Sequence, residues 1–533
     1  MGRTDPPALA AYRTLLLPIY LTLVLALGAP VQDTEVVDPV QGMRDWTARF
    51  DRSGDLWEGS LDELRGHVRA AVTRSFTEDE YRHPTAEALF EVASYGIGWL
   101  PKRTDYIGRK PNQRVRGVAL EGIEWLLDGD STGESTLAWI ADDVFARVAG
   151  TTIAKRYLAF HVLRTLGGDG EKVQLAMLSV ARNESDRMRP EVLELLPALS
   201  GEAIDLYLVN LLGKQHDRRR DPHPFNLMLE RIRRKNEPLG LRASVVLETR
   251  LASMLKGTDW REASRAIELS RGLVLDRAVP LLLNGLYIVE RRLRFGTGSK
   301  RIQHDIVGEL RKLSGRSIGT NPKNWTTWWI AYRQGRVDVA PPPEDAVDAE
   351  RSHAEFFGLR PVTDRVTFVI DFSGSMRSEW GTTGHSRYEE AVEQMMIFLQ
   401  GAGEQTRFNV ILFSDEQVRS SAMLVSATDD MLERARRSLL ERVPDGATHL
   451  RPAIELALKL DKSGNVDPEE LEADTIIVLC DGETSRGPGW VRPLLKKIQA
   501  DARVVFHCVL VGLRGDGALR SLAESTGGDY IQI

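Results

Sequence analysis

Three oxygen-bearing side chains crowd one short stretch of this chain. Val366–Met376 reads VTFVIDFSGSM, so Asp371, Ser373 and Ser375 bring a carboxylate and two hydroxyls together, with Gly374 between the serines. Val366 to Ile370, just before them, is almost unbroken apolar sequence, the pattern of a strand buried on both faces of a parallel sheet. A strand of this kind delivers its oxygens to one point at its carboxyl end, where open α/β sheets bind ligands. Hard divalent cations take oxygen ligands, and Mg2+ holds near-octahedral geometry at about 2.0–2.1 Å while keeping some of its waters. A plainer role also fits these three residues alone, because Ser and Asp often cap the helix that follows.

The Asp-x-Ser-x-Ser run resembles the von Willebrand factor A (vWA) domain. That family's metal-ion-dependent adhesion site (MIDAS) adds a threonine and an aspartate from two later loops. Gly446-Ala447-Thr448 stands between the amphipathic stretches Asp430–Arg442 and Leu450–Leu460, where the threonine loop belongs. Ile476–Cys480 is a second apolar strand, and it ends in Asp481-Gly482, as the aspartate loop does. Helix capping does not account for Thr448 and Asp481. The resemblance implies Mg2+ or Mn2+ held directly or nearly so by Ser373, Ser375 and Thr448, with Asp371 and Asp481 acting through water or a hydroxyl. Neutral hydroxyls leave such an ion electrophilic, able to take a carboxylate from a protein partner, which makes the site one for binding more than for catalysis. Cys480 stands where the family commonly has threonine, and its side chain is expected to point into the sheet. The long loop Arg377–Arg387 carries Trp380 beside the site, and His449 adjoins Thr448; both are candidates for partner contact.

The elements that must position these residues alternate strand and helix from residue 359 to 533, giving a doubly wound, Rossmann-like sheet. Strands are expected at 407–413, 418–425 (an edge), 475–480, 504–511 and 530–533. Residues 110–336 read as a succession of amphipathic helices with short polar or glycine breaks, similar to HEAT repeats in stretches such as Ser185–Leu212, or else a non-repetitive bundle. Trp325, Trp328 and Trp329 at helical spacing suit core or a cap on the last helices. A further helical region spans 29–109, and residues 337–358, with Pro341-Pro342-Pro343 and several acids, read as a linker. The fold class is therefore multidomain: an all-α region followed by an α/β vWA domain.

Composition bounds the rest. The 533 residues, with 42% hydrophobic and 27% charged, are globular, and their length suits two to four domains. Net charge is −6, yet residues 101–336 hold 40 Lys and Arg against 28 Asp and Glu, while residues 351–533 hold 21 against 28. A basic middle of this kind docks within the chain, meets an anionic surface, or simply solvates helix faces. The two cysteines, Cys480 and Cys508, read as buried core residues. Arg3 and Arg13 ahead of Leu15–Leu27, with small residues after it, have the layout of a signal peptide over residues 1–28, or of an uncleaved signal anchor. That places the protein outside the cytoplasm, periplasmic or secreted. Asp51–Asp55, the acidic loop Asp461–Glu472 and Arg514-Gly515-Asp516 mimic binding motifs but read as turns and loops, since the two acidic runs lack the glycine a calcium loop requires. No Gly-x-Ser-x-Gly, His-Glu-x-x-His or P-loop pattern occurs. The expectation is a non-enzymatic adhesion-type scaffold that binds protein and no nucleic acid. The alternatives are a metal-dependent hydrolase acting on a phosphoryl group, with His449 or His385 as base, and an accessory subunit of an ATPase assembly.

Overall fold

A computed structural model describes residues 37–53, 55–94, 110–128, 130–147, 151–168, 170–214, 220–340, 354–382, 384–467, 470–482, 487–512, 515 and 517–533. The expected leader at 1–28, most of the linker, and Arg514 and Asp516 lie outside them. The chain divides into two compact units, one ending at Ala176 and the other spanning Met177–Ile533. The boundary falls inside the span that the sequence suggests is one helical region.

The first unit contains helices α1 (Pro39–Ser53), α2 (Ser60–Thr77), α3 (Arg82–Ser94), α4 (Lys110–Asp128), α5 (Asp130–Trp139) and α6 (Ile153–Thr165). Buried Trp46 stacks on Phe50 at 5.4 Å and donates its indole N–H to the Ser60 carbonyl at 2.8 Å. The Ser53 hydroxyl donates to the carbonyls of Phe50 and Asp55, closing the acidic run as a turn.

Helix α7 (Glu171–Arg182) crosses the boundary, and the second unit continues with α8 (Arg189–Leu195), α9 (Glu202–Leu211), α10 (Pro224–Lys235), α11 (Leu241–Lys256), α12 (Trp260–Leu269), α13 (Leu275–Arg294), α14 (Lys300–Ser314) and α15 (Pro322–Arg333). Successive helices pair, α9 with α10, α11 with α12 and α13 with α14. The pairs then stack in two rows, α9–α11–α13–α15 and α10–α12–α14. Each pair thus buries its apolar face against the next, as stacked repeats do. Fully buried Trp325, whose N–H reaches the Gly319 carbonyl at 2.6 Å, packs edge-on against Trp328 in the last helix of the row.

The sheet follows: β1 (Arg365–Asp371), β2 (Arg407–Phe413), β3 (Gln417–Arg419), β4 (Val425–Ser426), β5 (Thr475–Cys480), β6 (Val505–Leu510) and β7 (Tyr530–Gln532), in the order β3-β2-β1-β5-β6-β7 with β4 also on β2. The central β1 runs parallel to β2 and β5, with Phe368 opposite Val410 and Ile477. The expected edge strand over 418–425 is instead two short antiparallel pieces at either end of β2. Asn409 explains the gap. Its side chain takes the Ser421 amide and donates to the Ser421 carbonyl at 2.8 Å, replacing ladder bonds there. Helices α16 (Arg387–Ala402) and α17 (Asp429–Leu440) cover one face over Phe368, Ile370, Val410 and Leu412; α18 (Leu450–Ala457) and α20 (Ala518–Thr526) cover the other, beyond α19 (Val491–Ala502). Ala354, Phe356 and Leu359 lie in this core, with Phe356 edge-on to Phe368, so the packed domain takes in residues that the sequence suggests are linker.

The amino ends of the strands meet the ends of α12 and α14. Arg261 donates to the Leu471 carbonyl and Arg301 to that of Asp474. Arg265 places Nε and Nη2 on the Ala500 carbonyl at 2.8 and 2.6 Å, and Lys300 reaches the Ala402 carbonyl at 3.1 Å, both at helix C-termini where cations are favoured. Arg503 pairs with Glu268 at 3.0 Å. Within this seam Asp474 is fully buried; it accepts the hydroxyls of Thr363 and Thr475, and its Oδ2 has no partner among the described residues. Burial, and then the facing Asp364, push its carboxyl up to about 6. A raised carboxyl favours the protonated fold, so this contribution is full below 3.8 and is lost as pH rises through about 6. Asp474→Asn, neutral throughout, is expected to be more stable than wild type at pH 8 by about 1–3 kcal/mol, with the gap closing towards pH 4. Thermal unfolding of both proteins across that range checks it, and no gain at pH 8 would refute it.

Candidate metal centre

Three loops at the carboxyl ends of β1, β5 and the segment before α18 converge where the strand order reverses beside β1, the place such sheets reserve for ligands. Asp371 closes β1 without exposure, and Ser373 is buried beside it. The Ser373 amide donates to Asp371 Oδ1 at 2.8 Å, turning the chain so that the two serine hydroxyls face each other at 3.0 Å. From there Ser375 Oγ donates to Asp481 Oδ1 at 2.8 Å, and the Asp481 amide approaches Asp371 Oδ2 at 3.4 Å. Four of the five residues singled out from sequence therefore form one hydrogen-bonded cluster of oxygens.

Thr448, the fifth, is half-buried on a loop laced to the first one. The Asp445 amide donates to the Phe372 carbonyl at 2.9 Å, and the Gly374 amide to that of Gly446 at 3.1 Å. Arg377 adds Nε to the Pro444 carbonyl and an ion pair to Asp445 at 3.1 Å. Gly446 has φ of +87°, which favours glycine, and a Cβ there would stand 2.5 Å from Asp415 Oδ2, the tip of an exposed side chain that would have to shift.

Two residues bear on the cluster that the sequence reading does not assign to it. The Cys480 thiol, expected to point into the sheet, donates to Asp371 Oδ2 at 3.1 Å. Arg387 sets Nη1 2.9 Å from Asp481 Oδ2, on a carboxylate side chain with no exposure. Arg387 was findable: Ser386-Arg387-Tyr388-Glu389 is a capping box, with both reciprocal bonds formed, and it fixes Arg387 as the first residue of α16. Burial raises the Asp371 carboxyl above the usual range, the Ser373 and Cys480 hydrogen bonds opposing it. Burial likewise drives the Cys480 thiol well up, so it stays a proton donor. Both cysteines are free.

The other two candidates sit differently. Trp380 is half-buried and rests edge-on against Phe357 at 5.5 Å; its amide donates to the His385 carbonyl, and Glu379 forms an antiparallel bridge with Ser386. His449 stands at the N-terminus of α18, its Nδ1 4.0 Å from Asp415. His385 Nδ1 lies 3.4 Å from Glu390. Among the described residues, no three His, Cys, Asp or Glu gather as a metal site; the oxygens here come from the carboxylates of Asp371 and Asp481 and the hydroxyls of Ser373 and Ser375.

Residues 366–483 match the model of the von Willebrand factor type A domain. A human relative, inter-alpha-trypsin inhibitor heavy chain H4, is 27% identical over 176 residues, 32% of this chain and 18% of that protein, so most of the relative lies outside the match. Among solved structures, proximal thread matrix protein 1 from the mussel byssus with a zinc-occupied MIDAS motif is 20% identical over 31% of this chain and 40% of its own, with a TM-score of 0.24. BatB from Bacteroides thetaiotaomicron is 18% identical over 32% of this chain and 89% of its own, with a TM-score of 0.25.

Gly446→Ala is expected to cost about 1–2 kcal/mol through its left-handed φ and the approach to Asp415. A lowered midpoint in thermal unfolding checks this, and an unchanged midpoint would show that the loop accommodates a side chain.

Proposed function

We propose that the sheet domain is a divalent-cation-dependent adhesion module of an interaction scaffold. The observation that carries this is the cluster itself: two carboxylates and two hydroxyls, hydrogen-bonded to one another at the strand crossover, with the Thr448 loop tied alongside. Asp371, Ser373, Ser375, Thr448 and Asp481 would hold the ion. The donor set fits a hard cation such as Mg2+ or Mn2+, since every donor is an oxygen. The raised carboxyl of Asp371 marks a buried charge that a cation would offset. When bound, the ion would accept an acidic side chain from a protein partner. The chain's own groups orient it: Cys480 and the Ser373 amide fix Asp371, and Ser375 fixes Asp481.

The histidines sit with acidic residues on separate loops, so binding suits the geometry better than phosphoryl hydrolysis. The stacked helix pairs, read as HEAT-like repeats, would supply a second surface for the scaffold. The extracytoplasmic location rests on the N-terminal sequence alone; no helix among the described residues is long and apolar enough to cross a membrane.

Because the helices dock on the sheet domain, the test uses the full chain. Calorimetric titration of Mn2+ is expected to show one binding event that Asp371→Ala abolishes. An Asp371→Ala protein that binds Mn2+ as well as wild type would sink the reading, as would a wild type that takes up no Mn2+ in either chloride or acetate.

A further inference from the structure

Arg387 puts a permanent cation against the oxygen cluster. Its Nη1 lies 2.9 Å from Asp481 Oδ2, the Asp481 side chain has no exposure, and that of Arg387 keeps 29%. The guanidinium is not there by chance rotation of a long surface side chain. Its backbone is clamped at the start of α16 by the Ser386–Glu389 capping box, with Ser386 N–H on Glu389 Oε2 at 2.7 Å, and its amide donates to the Ser378 carbonyl at 2.8 Å. An arginine stays charged at any pH at which the protein is folded. With Ser375 on Oδ1 and Arg387 on Oδ2, both oxygens of Asp481 are engaged.

The charge balance follows. A divalent ion against Asp371 and Asp481 leaves the site neutral; adding Arg387 leaves it one unit positive. A single carboxylate from outside restores neutrality.

We propose that Arg387 is a resident competitor of the divalent ion: it holds Asp481, keeps metal affinity low, and thereby makes tight metal uptake depend on an arriving carboxylate. This rests on the metal-site reading above. Two like charges a few ångströms apart in a half-buried site repel strongly enough that removing one is expected to tighten metal binding about tenfold or more. A merely structural role for Arg387, orienting Asp481 for the ion, would have the opposite sign, because the substitution would then weaken binding.

The test titrates Mn2+ into full-length wild type, Arg387→Gln and Arg387→Lys by calorimetry, in chloride and again with acetate replacing chloride at equal ionic strength. Thermal melts in chelator verify that each variant is folded. The expected result is about tenfold tighter Mn2+ binding by Arg387→Gln in chloride, with Arg387→Lys, which keeps the charge, near wild type. Acetate should tighten wild type and help Arg387→Gln less. Equal or weaker binding by Arg387→Gln would overturn the proposal while leaving the metal site standing, as would a wild type indifferent to acetate, a readout that needs no variant. If neither wild type nor Arg387→Gln takes up Mn2+ in either buffer, the metal-site reading itself has failed and the role of Arg387 falls with it.

Discussion

A parallel sheet buried on both faces has only the two ends of its strands at which to do polar chemistry. Val366, Phe368, Val369 and Ile370 of β1 and Ile476 to Leu479 of β5 have no exposure, and helices cover them front and back. No charged group can sit along that length without a large desolvation cost. The carboxylates next to these two strands are consequently sorted to one pole or the other. The carboxyl pole gathers Asp371, Ser373, Ser375 and Asp481 with their loops, and the amino pole gathers Asp364, Asp474 and the arginines of the helical stack.

The two poles handle buried charge in contrasting ways. At the amino pole, guanidiniums meet carbonyl oxygens at the ends of α19 and of the segment before β5, and Arg503 finds Glu268, so each cation has a partner, although Nε of Arg261 and of Arg301 has no hydrogen-bond partner among the described residues. Buried cations are tolerated only when paired this way. Part of the basic excess of the helical middle is thus spent inside the chain, in holding the sheet domain, and not on a foreign anionic surface. At the carboxyl pole the balance is looser. Asp371 is buried with neutral donors alone around it, while Asp481 has Arg387. On the proposed reading, a divalent ion added there would offset Asp371, and Arg387 would compete with it for Asp481.

The sequence carried the site unusually far, and the reasons are local. Asp371, Ser373 and Ser375 are adjacent on the chain, and Asp481 ends an apolar run that could only be a central strand, so their convergence follows from strand polarity once β1 and β5 are neighbours. The helix pairs were legible from 3.6-residue periodicity, and the strands from unbroken apolar runs. Other features depended on distances in space that no spacing encodes. Asn409 splits the expected edge strand through its own side-chain bonds to Ser421. Phe356 belongs to the core because it meets Phe368, although its neighbours on the chain read as linker. Trp380, prominent in an exposed-looking loop, turned inward onto Phe357.

What the sequence determined by itself was which residues end up at strand ends, because burial of the apolar runs leaves hydroxyls and carboxylates nowhere else to go. The tertiary structure alone decided which charges face one another there: Arg387 on Asp481, the Cys480 thiol on Asp371, and Asp474 beside Asp364 beneath Arg301. These pairings join residues 94 to 173 positions apart along the chain, from Arg387 and Asp481 at the near end to Arg301 and Asp474 at the far one. Electrostatic energy falls with distance through space and is indifferent to distance in sequence, so only the folded chain could set it.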